Sequence, residues 1–176
     1  ILWCPLISLV LCGLCAAFKV KSKLPAWITI VSLAISFILT LLLASMEMPP
    51  ERVELFRWIN VDWEGGSFSA NFALYIDSLT LLWMSFVTGL GALIALYASE
   101  YMEPDVGRGY ARFFAGISVF LFAMICLVMG DNLLMLYLGW EGVGFASYWL
   151  IGYYYQKPEA VAAAKKAFIV NRIGDL

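Results

Sequence analysis

The sequence predicts an all-α fold, a polytopic transmembrane helix bundle of five complete spans and the start of a sixth, and three observations predict it. Of 176 residues, 63% are hydrophobic and 14% charged, with a mean hydropathy of +0.87, far more apolar than a soluble domain. The apolar residues come in blocks of membrane length separated by short charged punctuation, not in amphipathic stripes. Those blocks do not alternate in polarity every second residue as barrel strands do, so helices are the way for the backbone to satisfy itself in lipid.

The first block, residues 2–18, has no basic region ahead of it and no small-residue cleavage site after it, and so reads as a retained helix rather than a signal peptide. Because the chain opens on Ile1 and stops at Leu176 inside an apolar segment, a fragment of a longer protein is expected. Lys19, Lys21 and Lys23 follow as an anchor, and the second block, 24–46, ends before Pro49-Pro50. The segment 47–74 is the sizeable extramembrane piece. Within it "RVELFRWI" reads as a short interfacial helix, "SFSANFALYI" alternates like a strand, and Gly65-Gly66 marks a turn, so a small hairpin on the outer face is the competing expectation. Trp58 and Trp63 suit the headgroup region. Blocks 75–99, 112–129 and 132–152 follow, the last two joined by a tight turn around Gly130-Asp131-Asn132, and a sixth begins near 161. Three regions result: helices one and two (1–46), the loop (47–74) and helices three to six (75–176).

If the chain alternates sides, Lys19, Lys21, Lys23, Arg108, Arg112, Lys157, Lys165 and Lys166 fall together, whereas the other side receives Arg52 and Arg57. The basic side is then the cytoplasm or the mitochondrial matrix, and the N-terminus faces outward. A net charge of −2 with scattered cations offers no nucleic-acid footprint. Cys12 and Cys15 have CxxC spacing, but the chain has no second cysteine pair and no histidine, which argues against zinc or redox chemistry. Cys4, Cys12, Cys15 and Cys126 instead lie in apolar blocks, where a thiol packs as a small hydrophobe.

Glu141 carries the chemistry. It stands roughly ten residues, or about 15 Å, into the fifth block, near the midplane, where an acid costs at least ~2.5 kcal/mol on insertion scales. Burial disfavours the charged form of a carboxyl and a nearby cation favours it, so an acid between those influences can load and release a proton. Gly139, Gly142 and Gly144 bare the helix around it for close approach or water. In the sixth block Arg172 and Asp175 share a helical face and can pair, with Lys166 on the same polar path and Lys165 placed to snorkel. Asp131 and Asn132 at one helix start, and Asp77 at another, suit capping or interfacial positions. Buried acids and bases on successive helices suit proton or cation movement without identifying its energy source.

With "GYARFF" before it and "KAFIVNRIGDL" after it, "DNLLMLYLGWEGVGFASYWLIGYYYQ" resembles the largest antiporter-like subunits of respiratory NADH:quinone oxidoreductase, complex I, known as chain L in bacteria and chain 5 in mitochondria. The similarity runs from about Tyr75 to the end. It implies an antiporter-like bundle in the bacterial plasma membrane or the mitochondrial inner membrane. The implied function is that of a subunit of an H⁺-translocating quinone reductase, not catalytic alone, that couples NADH oxidation and quinone reduction to proton pumping. By the same resemblance Glu141 is the membrane glutamate of the fifth helix, whose lysine partner lies beyond Leu176. Arg172 and Asp175 are a charged pair coupling the subunit to a neighbouring antiporter-like subunit. NADH, FMN, iron–sulfur clusters and quinone are expected in partner subunits. The alternatives are a subunit of a multisubunit Na⁺/H⁺ antiporter, against which "GWEGVG" and "NRIGD" argue, and a structural membrane subunit with a silent, protonated Glu141.

Overall fold

The computed structural model describes residues 1–46 and 49–175; the first two residues of the 47–74 loop and Leu176 lie outside them. The described residues form helices α1 (Trp3–Ala17) and α2 (Leu24–Ser45), strands β1 (Glu51–Trp63) and β2 (Gly66–Ile76), and helices α3 (Ser78–Tyr101), α4 (Tyr110–Met129), α5 (Leu133–Ile151) and α6 (Pro158–Gly174). A short 3₁₀ turn, Glu103–Asp105, follows α3.

Two expectations need correction. The fold is mostly helical but not all-α, because β1 and β2 pair as an antiparallel sheet. Nor does it present five complete spans: among the described residues α2, α3 and α4 are the helices long and apolar enough to cross a membrane. Helix α1 has 15 residues, fewer than the about 20 a bilayer requires. Helix α5 has 19, but Glu141, its glycines and its aromatic rings dilute the apolar content. Lys165, Lys166 and Arg172 do the same to α6. Three apolar helices of this length make the chain a membrane protein.

Helix α4 is the axis of the bundle. It packs against α1, α2, α3 and α5, and 12 of its 20 residues are buried, against three in α5 and Ala164 alone in α6. Because lipid gives helices no hydrophobic reason to associate, small and hydroxyl-bearing contacts hold them together. The Ser8 hydroxyl joins Thr29 Oγ1 at 3.1 Å and Ser118 Oγ at 2.9 Å, linking α1, α2 and α4. Cys12 lies in the same cluster and donates to the Pro25 carbonyl at 3.4 Å, which gives that thiol a packing role.

The hairpin forms where an interfacial helix was the other reading of 52–59. Register runs from Glu51 opposite Ile76 to Trp63 opposite Gly66, and Phe56 stacks on Phe72 with ring centroids 4.9 Å apart. Cross-strand partners of this kind outweigh local helix propensity. Gly65 closes the turn at φ +135, a conformation that side-chain-bearing residues rarely adopt. Strand β2 also claims Tyr75 and Ile76, which delays the third helix from 75 to Ser78. Asp77 caps it, extended at φ −134, with Oδ1 accepting from the Thr80 amide at 2.7 Å.

Contacts sort the loops to two ends. At one, Lys23 pairs with Glu100 at 3.0 Å and Glu103 at 3.2 Å, and Arg112 donates to the Tyr153 carbonyl at 3.0 Å. At the other, the hairpin meets the α4–α5 turn: Arg52 pairs with Asp131 at 2.8 Å, the Asn132 amide donates to the Asn71 carbonyl at 2.8 Å, and Leu74 bridges Gly130. The basic loops therefore share one end of the bundle. Here Asn132, not Asp131, is the cap of α5. Asn132 is the extended residue before the helix and accepts from the Met135 amide at 3.0 Å, while Asp131, one position earlier, turns its carboxylate to Arg52.

Candidate functional site

Glu141 sits about 12 Å from the start of α5, mid-helix at 1.5 Å rise per residue. Three glycines decide how its neighbours approach. A Cβ on Gly139 would run into the Leu127 backbone, and one on Gly142 would lie 2.8 Å from the Ala123 Cβ. Both glycines therefore face α4 and allow the close helix approach that was one of the two expectations for them. Gly144 faces α6 instead: a Cβ there would fall 2.9 Å from the Arg172 terminal nitrogen Nη2.

Into that space comes Arg172, whose guanidinium forms an ion pair with the Glu141 carboxylate. The same group donates weakly to the Glu141 carbonyl at 3.4 Å and lies over the Phe168 ring, 4.8 Å from its centroid. Its Nε is buried and has no hydrogen-bond partner among the described residues. Asp175 stands 3.9 Å from Arg172, at the limit of an ion pair, and its Oδ1 accepts from the Trp140 indole N–H at 2.7 Å. The Glu141 and Arg172 side chains keep 23% and 28% of their accessible surface. The site thus lies on the face that α5 and α6 share, not under α4.

The structure brings together Glu141, Arg172 and Asp175 of the expected set. Within these residues the partner of Glu141 is Arg172, where a lysine beyond Leu176 was expected, and Arg172 engages Glu141 more closely than Asp175. Lys166 is exposed and enters none of the ion pairs among the described residues. Asp77 and Asp131 lie at the hairpin end, one capping α3 and the other holding Arg52. The Thr80 amide holds the Asp77 carboxyl below its ordinary pKa. Trp140 and Phe168 went unnoticed in the sequence. The signal for Trp140 was adjacency to Glu141; for Phe168 it was its place one helical turn before Arg172.

This arrangement sets one cation, Arg172, against two carboxylates, closely against Glu141 and at the limit of pairing with Asp175. The guanidinium keeps one N–H, Nε, buried and without a partner among the described residues.

Comparison with known proteins places the chain. Residues 58–114 match the family described as NADH-Ubiquinone oxidoreductase (complex I), chain 5 N-terminus. Residues 130–176 match the one described as NADH:quinone oxidoreductase/Mrp antiporter, TM, and so include Glu141 and Arg172. The chain is similar to NADH-quinone oxidoreductase subunit L of Escherichia coli (strain K12), at 51% identity over 69% of this chain and 19% of that protein. It is also similar to NADH-ubiquinone oxidoreductase chain 5 of Phytophthora infestans, 36% identical over 100% of this chain and 26% of that one. The chloroplastic NAD(P)H-quinone oxidoreductase subunit 5 of Adiantum capillus-veneris is 36% identical over 98% of this chain and 24% of its own length. The chain thus spans about a fifth to a quarter of the length of the curated relatives it matches.

Proposed function

This chain belongs to the family of subunit L and chain 5 of NADH:quinone oxidoreductase, and on that premise we propose that it forms part of a proton-translocating membrane subunit, in which Glu141 loads and releases protons as Arg172 moves. One observation carries the reading: the ion pair between the mid-helix acid of α5 and an arginine of α6, with Gly144 leaving room for the guanidinium. While paired, the acid stays an anion. When the guanidinium turns to Asp175, Glu141 is left in an apolar setting without a counter-charge and takes a proton; on return, it gives the proton up. Trp140 holds Asp175 within reach of that exchange.

Quinone reduction elsewhere in the assembly drives the movement by changing charge at one end of a line of such pairs. NADH, FMN, iron–sulfur clusters and quinone belong to the partner subunits, and the neighbour across α6 is another antiporter-like subunit. Of the family's charge line, Lys166 joins the path only through contacts outside α5 and α6. The antiporter-like bundle lies in a bacterial plasma membrane or a mitochondrial inner membrane, with its basic loops inside and its N-terminus outside. Matches to the chain 5 N-terminus and to subunit L favour this over an Mrp-type Na⁺/H⁺ antiporter, whose family description shares only the second segment.

The test is Glu141→Gln in the full-length protein, reading NADH-driven proton pumping, quinone reductase activity and assembly on a native gel. Pumping and quinone reduction are expected to fall in an assembled complex. Unchanged pumping would remove Glu141 from the proton path and leave a structural acid.

A further inference from the structure

At the basic end of the bundle the α3–α4 and α5–α6 connections line an open cavity of about 480 Å³ that has no place in the proton path. Three cations line it: Arg108, Arg112 and Lys157. None of them enters an ion pair among the described residues. The carboxylate of the cavity, Asp105, is occupied by the Tyr154 hydroxyl, which donates to it at 2.9 Å. Aromatic rings hold two of the three cations in place: Arg112 lies over Tyr153 and Tyr155, 5.2 and 4.9 Å from their centroids, and Lys157 lies 5.1 Å from that of Tyr154.

A second cavity, of about 340 Å³, continues from the first between α5 and α6. Arg112, Tyr153 and Tyr155 line both, but the walls of the second are apolar, with Phe145, Tyr148, Trp149 and Val161. The two together are amphipathic. A pocket with donors for an anion opens, past a single arginine, into an oily groove between two helices.

We propose that this paired cavity binds one anionic phospholipid, its phosphate held by Arg108, Arg112 and Lys157 and an acyl chain laid in the α5–α6 groove. Charge complementarity selects the headgroup: three cations face one polar space, on the side of the molecule where basic loops gather and where membranes carry anionic lipid. The apolar continuation distinguishes a lipid from free phosphate, which has no use for it. At the junction Tyr155 is exposed and suits a headgroup boundary, while Tyr153 is buried beneath it.

The experiment uses the full-length subunit in its assembled complex, in nanodiscs doped with photoactivatable acyl-chain probes bearing phosphatidylglycerol or phosphatidylcholine headgroups. Labelled peptides spanning residues 145–161 are read by mass spectrometry. The phosphatidylglycerol probe is expected to label them preferentially, and R108Q/K157Q to lower that label by about fivefold per cation removed. Arg112 is kept, since it also holds the Tyr153 carbonyl. Should the double variant fail to assemble, Arg108→Gln and Lys157→Gln are read singly. Equal labelling by both probes, an unchanged label in the variants, or loss of label to millimolar inorganic phosphate would overturn the proposal, the last identifying a free-phosphate site. Absence of label would do so too, showing that protein fills the groove.

Discussion

At the scale of single residues, the site turns on the space that Gly144 leaves. A methyl group there would stand 2.9 Å from Arg172 Nη2, so Gly144→Ala is expected to displace the guanidinium and lower proton pumping in a complex that still assembles, measured in the same vesicles as the Glu141 variant. Arg172→Lys keeps the charge but loses the planar fork that reaches Glu141 and lies on Phe168. It is expected to pump at an intermediate rate, whereas Arg172→Met should fail outright because the acid loses its counter-charge; pumping by the methionine variant equal to the native rate would refute the pairing. Glu141, Arg172 and Asp175 were legible in the sequence because a charge inside an apolar run has few innocent explanations. Which of them pair was not legible, since that depends on how α6 lies against α5. For the same reason Trp140, Phe168 and the separate duties of three similar glycines were invisible. The nearest cation in sequence to Asp175 turned out to be chiefly the partner of another acid.

At the scale of elements, the α4–α5 turn fixes both the hairpin and the start of α5. Asn132→Ala is expected to cost about 1 kcal/mol through the lost cap and to raise hydrogen exchange in the first turn of α5. Arg52→Gln leaves the Asp131 carboxylate, 17% exposed, without its cation and should speed exchange of the β2 amides near Ala73. The cap of α3 carries a pH dependence. The Thr80 amide lowers the Asp77 pKa, so the cap is complete above the ordinary carboxylate range and is lost as pH falls through the lowered value. Exchange at Thr80 and Leu81 should therefore accelerate only on the acid side. Helix positions followed from hydropathy to within a few residues. The hairpin was open in the sequence because β1 alone has helical as well as extended character, and only its pairing with β2 decides. Counting complete spans went astray at α1, which has 15 residues, and at α5, where Glu141, glycines and aromatic rings interrupt the apolar run.

At the scale of the whole molecule, burial is graded from the α4 axis outward to α6, which packs on α5 and buries only Ala164. The charged site therefore lies at the edge of the described bundle, where a further helix or subunit can complete it. The gradient also divides the labour mechanically. Gly139 and Gly142 bring the α5 backbone into direct contact with α4, whereas α6 meets α5 mainly through side chains and buries only Ala164. A tether between α4 and α5 should consequently leave pumping intact, while one between α5 and α6 should stop it, both read by NADH-driven acidification. In a machine's vocabulary, the proposed proton path makes α4 and α5 the stator, with Glu141 a contact bolted to it. On that proposal the moving brush is Arg172.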